Sequence, residues 1–184
     1  MSQRTALRTI TSLTAGLALV ATLGACAVEE DSAPTSITFA IEGANLSSGH
    51  MDIHSSQLDV ASLVLRNAFD SLVAQDDSGA FVPWLATSWG ISEDELTYTF
   101  QLREDVTFHD GEPFNAEAVK ANFDHVVAPE TASAQAASLI GYAAEGGYYA
   151  GTAVLGEYEV AVSFTQPYAP FLQGLSLAQL GFYS

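Results

Sequence analysis

Residues 96–102 read Leu-Thr-Tyr-Thr-Phe-Gln-Leu, and apolar and polar side chains alternate through them without a break. Leu96, Tyr98, Phe100 and Leu102 fall on one face of a pleated strand, with Thr97, Thr99 and Gln101 on the other. On a helix the same residues would scatter around the whole circumference, so this stretch predicts a half-buried β-strand. It sits within an ordered run of local signals from Pro83 to Val127. Pro83-Trp84-Leu85-Ala86-Thr87-Ser88-Trp89 opens the run, and the acidic turn Glu93-Asp94-Glu95 precedes the strand. A second turn at Arg103-Glu104-Asp105 leads into Val106-Thr107-Phe108. Phe108-His109-Asp110-Gly111-Glu112-Pro113-Phe114 then forms a tight turn in which Gly111 is expected at positive φ. Asn115 is placed to cap a helix carrying Ala116, Val119, Phe123 and Val126 on one face.

The order of these parts resembles the extracytoplasmic solute-binding proteins of family 5, the peptide- and nickel-binding subunits of ABC importers. The resemblance is carried by Pro83-Trp84-Leu85-Ala86-Thr87-Ser88-Trp89, by Tyr98-Thr99-Phe100-Gln101-Leu102-Arg103, and by Phe108-His109-Asp110-Gly111-Glu112-Pro113. Further along, Pro167-Tyr168-Ala169-Pro170-Phe171-Leu172 matches a helix that follows a strand at this place in the family. Glu95 and Asp105 stand in turns where the family often has glycine, and Ala118 where it often has an acid. The resemblance covers roughly residues 36–184 and implies an α/β fold, the first lobe of a type II periplasmic-binding-protein-like domain with a mixed sheet and flanking helices. It also implies a longer chain with a second lobe, so that 36–184 is expected to be an incomplete lobe. The end at Gly181-Phe182-Tyr183-Ser184, apolar and strand-like, carries the same expectation of truncation.

The N-terminus has the layout of an export signal. Arg4 and Arg8 precede a mostly apolar stretch from Ile10 to Leu23, and Leu23-Gly24-Ala25-Cys26 follows. That stretch is short and diluted by Thr and Ser, a poor membrane span. Leu-Gly-Ala-Cys resembles a lipobox, which implies lipid attachment at Cys26, with two acyl chains sufficient for stable anchoring. Residues 1–25 are then a lipoprotein signal peptide and 26–35 a flexible tether, whose Val28–Pro34 portion is polar, acidic and aperiodic. Cys26 is the single cysteine, so no disulfide can form within the chain.

Beyond the leader, three basic residues stand against 22 acids, a formal charge of −19. Such a charge repels nucleic acid and anionic membrane surfaces, and argues against direct binding to either. The acids are scattered and apolar content is high at 48 %, which speaks against disorder.

Elsewhere, Ile37–Ile41 reads as the first strand and Leu58–Val73 as a helix, with a turn at Asp76-Asp77-Ser78-Gly79. Ala128–Gly147 reads as one or two short helices followed by a loop. Ala153-Val154-Leu155 and Tyr158–Phe164 read as strands about a turn at Gly156-Glu157, and Pro167–Leu172 opens a short helix.

Candidate chemistry is sparse. His50 and His54 lie four apart but among loop-forming residues, His109 stands beside Asp110, and His125 ends a helix. All four are read as loop or surface histidines, and no metal site or cofactor is expected. Motifs for a nucleophile, a phosphate loop or a dinucleotide are absent, so no catalytic residue is assigned. Trp84, Trp89, Tyr98, Phe100 and Phe108 are spaced as a core requires. The loop Gly43-Ala44-Asn45-Leu46 follows the first strand, where α/β folds place ligands; the resemblance implies that it lines the cleft. Gly141-Tyr142 and Gly146–Tyr149 either flank a cleft or form an ordinary loop. The resulting expectation is a monomeric, lipid-anchored binding component that captures peptides or similar small solutes. It would hand them to an ABC permease and ATPase complex, making and breaking no bond. Two alternatives stand beside it: a secreted hydrolase or metal-dependent enzyme using His109 and nearby acids, and a surface receptor lipoprotein uncoupled from transport.

Overall fold

A computed structural model describes residues 53–54, 65–128, 134–142 and 147–184, all within one unit spanning 41–184. Cys26, the tether, the strand expected at Ile37–Ile41 and the loop Gly43–Leu46 lie outside the described residues. The strands are β1 (Val73–Gln75), β2 (Phe81–Pro83), β3 (Ala86–Ile91), β4 (Thr97–Leu102), β5 (Tyr149–Gly156) and β6 (Glu159–Phe164). The helices are α1 (Ala116–Val127), α2 (Ala134–Leu139) and α3 (Phe171–Leu175), followed by a 3₁₀ turn at Ala178–Leu180. β1 and β2 form a two-stranded ribbon, and the main sheet runs β3-β4-β6-β5, with every described pairing antiparallel.

The alternating strand behaves as its pattern predicts. Tyr98, Phe100 and Leu102 are buried, while Thr97 and Thr99 are half-buried and Gln101 is exposed. Register sets Tyr98 opposite Val162 and Phe100 opposite Val160, so the apolar rows of β4 and β6 coincide on one face. Helix α1 lays Ala116, Val119, Phe123 and Val126, all buried, into the same core. Its cap is the expected one: the Asn115 side chain accepts a bond from the Ala118 amide at 3.0 Å. Ala118 occupies the third helical position, where an acid could have bonded back to the cap residue's amide; Glu117 supplies the first-turn negative charge instead.

Phe171, at the start of α3, closes the core. Its ring centroid lies 4.9 Å from Phe164, 5.0 Å from Tyr98 and 6.2 Å from Phe100, each edge to face. On the next turn Gly174 meets α2: a Cβ built there would stand 2.3 Å from the Leu139 carbonyl oxygen. Only glycine permits that approach between the two helices.

Three expectations need correction. The helix expected to run to Val73 does not reach it: a turn closes with Ala68 and Phe69 amides donating to the Leu65 carbonyl, and β1 begins at Val73. Pairing overrides the helical period here, because Ser71 and Leu72 carbonyls accept from the Leu85 and Ala86 amides. The β5–β6 turn is centred on Glu157–Tyr158, one residue later than read, and β5 begins earlier, at Tyr149. Trp84 is not a core residue. It is 50 % exposed at the bend between β2 and β3, its indole N–H donating to Asp70 at 2.8 Å. Trp89 packs against the core from a half-buried position.

The turn before β4 explains one departure from the family pattern. Glu95 sits at φ 58, the left-handed region that glycine occupies at low cost. Replacing Glu95 with glycine is expected to relieve part of this strain and raise stability by up to about 1 kcal/mol, read from urea denaturation midpoints. A loss of stability would show that the Glu95 side chain contributes more than its backbone costs.

Candidate functional site

The hairpin following β4 is built by its own backbone. Phe108 N–H donates to the Glu112 carbonyl at 2.8 Å and Gly111 N–H to the Phe108 carbonyl at 3.0 Å. Gly111 has φ 95, as the sequence required, and the Asp110 carboxylate accepts from the Glu112 amide at 3.1 Å. Thr107 bridges Pro113 across the hairpin, and Phe114 N–H reaches the Val106 carbonyl. This construction presents Phe108, His109 and Asp110 along one wall of a recess of about 350 Å³.

Ala68–Asp70, Leu85 and the segment Phe182–Ser184 complete the lining. Phe114 and Phe182 form a buried floor, their rings 5.9 Å apart and edge to face, while Phe69, Val106 and Phe108 are half-buried above it. The opposite wall is fixed by long-range bonds. Phe182 N–H donates to the Asp70 carbonyl at 3.0 Å, and the Asn122 side chain clamps Tyr183 through both backbone groups, at 2.7 and 3.2 Å. His54 Nε2 lies 2.9 Å from the Gly181 carbonyl oxygen. Ser184 hydroxyl donates to Asp110. That bond, with the Glu112 amide next, holds the Asp110 carboxyl below the ordinary carboxylate range, so it stays charged at any physiological pH.

A shallower groove of about 590 Å³ lies alongside, lined by Trp84, Thr87, Gln101, Arg103, Glu104 and Tyr158 among others. Arg103 and Asp105 pair there through two bonds of 2.9 Å, both partners exposed.

Of the four histidines, His54, His109 and His125 are among the described residues, and His50 lies outside them. His109 is exposed on the recess wall, Nε2 3.3 Å from the Ala68 carbonyl. His54 is buried instead of lying at the surface, and its ring stands 5.6 Å from His125 and 5.0 Å from Tyr183. Spacing along the chain could not reveal the His54–His125 pairing, because 71 positions, strands β1–β4 among them, intervene. Among the described residues no group of three or more His, Cys, Asp or Glu side chains could hold a metal ion. Of the tyrosine-rich segment, Tyr148 and Tyr149 amides bond to the Gly141 carbonyl, and the Tyr168 ring packs on Tyr148 at 5.7 Å. Residues 143–146 of this segment lie outside the described residues. Gly43, Ala44, Asn45 and Leu46 lie outside the described residues.

Residues 80–183 match the family of bacterial extracellular solute-binding proteins, family 5 Middle. The chain belongs to that family. A nickel-binding periplasmic protein of Escherichia coli (strain K12) is 38 % identical over 111 residues, which cover 59 % of this chain and 20 % of that protein. The glutathione-binding protein GsiB of Pectobacterium atrosepticum is 36 % identical over 80 residues, 44 % of this chain and 16 % of its own. Among solved structures, NikA from Brucella suis in complex with Fe(III)-EDTA superposes with TM-score 0.62 at 33 % identity, covering 72 % of this chain and 26 % of that one. Listeria monocytogenes OppA bound to peptide shares the fold, with TM-score 0.63 at 20 % identity over 73 % of this chain and 28 % of its own. The family 5 chain thus has the α/β architecture of a type II periplasmic binding protein, and spans about a fifth of the nickel-binding relative's length.

Removing the Asn122 amide is expected to loosen the recess wall. Asn122→Ala removes the part-buried bonds to the Tyr183 N–H and C=O, at a cost of about 1–3 kcal/mol. Hydrogen exchange at the Tyr183 amide should then accelerate well beyond that of the β4 amides. Equal protection in variant and parent would show that other contacts hold the segment.

Proposed function

We propose that this family 5 chain is the first-lobe portion of a lipid-anchored, extracytoplasmic solute-binding component of an ABC importer. The match over residues 80–183 carries the reading. In this reading residues 1–25 direct export, Cys26 receives the lipid, 26–35 form the tether and 36–184 contribute a lobe of the solute-binding domain. A solute is captured between two lobes, the lobes close over it, and the closed form is handed to a permease driven by its ATPase. The ligand class is peptides or similar small solutes, with a nickel chelate included because a nickel-binding protein is among the relatives. The backbone groups of Gly43–Leu46 are proposed to contact the ligand, a mode of recognition that tolerates varied side chains. Binding and lobe closure suffice for this role, so no catalytic group is assigned.

Anchoring is tested at the thiol. Expressed in a bacterial host, the parent chain should partition with membranes and carry a mass increment of two or three acyl chains on Cys26. Cys26→Ser should move it entirely to the soluble fraction. An unmodified sulfur in the membrane-associated parent would refute the anchor.

In this reading solute capture needs two jaws, and residues 36–184 contribute to one of them. Calorimetry with a mixed peptide pool should therefore show binding no tighter than about 1 mM, the scale of a half-formed site. Micromolar affinity would overturn the two-jaw mechanism.

A further inference from the structure

We propose that the recess beside the Phe108–Gly111 turn binds an organic cation, an ammonium or guanidinium group carried on an apolar body. The inference does not depend on the transport reading.

The recess joins two features that one class of ligand satisfies together. Its interior is apolar, with Phe114 and Phe182 beneath and Phe69, Val106 and Phe108 at the sides. Its rim carries two carboxylates, Asp70 and Asp110, and neither a lysine nor an arginine belongs to its lining. Arg103, the basic residue of the adjoining groove, is already engaged by Asp105 through two bonds. An anion entering here meets like charge at the rim and a strongly acidic chain beyond it. A neutral apolar ligand gains the floor but takes water away from the carboxylates without replacing it. A cation on an apolar stem does both: the stem covers the phenylalanines, and the charged head meets a rim of opposite sign. Aromatic side chains add to this, since their ring faces attract cations. Both carboxylates are preorganised. The Trp84 indole N–H holds Asp70 at 2.8 Å, and Asp110 is oriented by the Glu112 amide and the Ser184 hydroxyl. Those donors each take one contact from a group with capacity for several, so oxygen lone pairs stay available for a ligand.

The test uses the full chain and two pairs of probes matched in shape. Benzylguanidinium and its neutral counterpart benzylurea are titrated while amide resonances are followed by nuclear magnetic resonance. Benzylguanidinium should shift the amides of Phe108–Gly111 and Phe182–Ser184 and bind about tenfold or more tightly than benzylurea, the scale of one charge-assisted contact. Asp110→Asn and Asp70→Asn should each weaken it several-fold, with spectra that remain dispersed as for a folded chain. Asp76→Asn, in the turn between β1 and β2, should leave it unchanged. If Asp110→Asn fails to fold, the parent's preference between the two probes and the Asp70→Asn titration decide. The second pair, acetyl-Phe-Arg-amide against acetyl-Phe-citrulline-amide, identifies the source of the cation. Preference for the arginine peptide assigns the site to basic peptide side chains; binding of benzylguanidinium alone assigns it to free small cations. Equal affinity for charged and neutral probes, shifts elsewhere in the chain, or an Asp76→Asn loss equal to that of Asp110→Asn would overturn the proposal.

Discussion

The described fold depends on one aromatic junction. Phe171 brings together β4 through Tyr98 and Phe100, β6 through Phe164 and α1 through Phe123, with ring centroids from 4.9 to 6.5 Å. Each pairing is edge to face or tilted, the arrangement that the ring quadrupoles favour. The junction matters because α3 is only five residues long and could not persist on its own propensity. Packing of one ring positions it, and the close approach at Gly174 then seats α2 against it. Phe123 also meets Phe182 at 5.8 Å, so the same network extends to the floor of the recess. Burial in the core and the shape of the recess are therefore not separable properties.

How much of this could be read from the chain depends on the range of the interaction. Strands β4 and β6 were legible because their period-2 patterns are local and pairing only reinforces them. The Asn115 cap and the Gly111 turn were legible for a similar reason, since one side chain or one backbone angle decides each. The segment 58–73 carries a helical period, yet the amides of Leu85 and Ala86 claim the carbonyls of Ser71 and Leu72. A distant partner won over a local preference there. Trp84 shows another limit: its apolar ring suggests burial, but its indole N–H finds Asp70, 14 positions away, at the surface. No local pattern announces such a pair.

The candidate recess lay almost wholly beyond sequence reasoning. Its walls come from the turn at 108–110, the segment at 68–70 and the end of the chain at 182–184, and only folding makes them neighbours. The turn was visible as a turn, with His109 and Asp110 on it, but the chain does not say what they face. Asn122 illustrates the gap well. On the helical wheel it borders the apolar face and looks like an ordinary polar boundary residue. In the fold it is 95 % buried and spans 61 positions to clamp Tyr183. A buried asparagine on the apolar side of a helix was the one available signal, since such a group is normally satisfied by a specific partner.

Local redundancy explains how the chain departs from its family's pattern without losing the fold. The turn before β4 tolerates Glu95 at positive φ because neighbouring groups over-determine it. Glu95 N–H donates to the Ser92 carbonyl at 2.9 Å, and Asp94 accepts from both the Ser92 hydroxyl at 2.5 Å and the Leu96 amide at 3.1 Å. The Ser92 hydroxyl oxygen in turn accepts from the Thr97 amide at 3.0 Å. The Ser92 hydroxyl, followed by the Leu96 amide, lowers the Asp94 carboxyl below its ordinary range, which keeps the acceptor charged and the bonds charge-assisted. Glycine at this position would supply the angle through conformational freedom; here the angle is imposed by a closed ring of short-range bonds. The register of β4 therefore does not depend on which residue occupies position 95. What sets it is the pairing of Ile91 with Tyr98 across the turn, and that pairing places the alternating face toward Phe171.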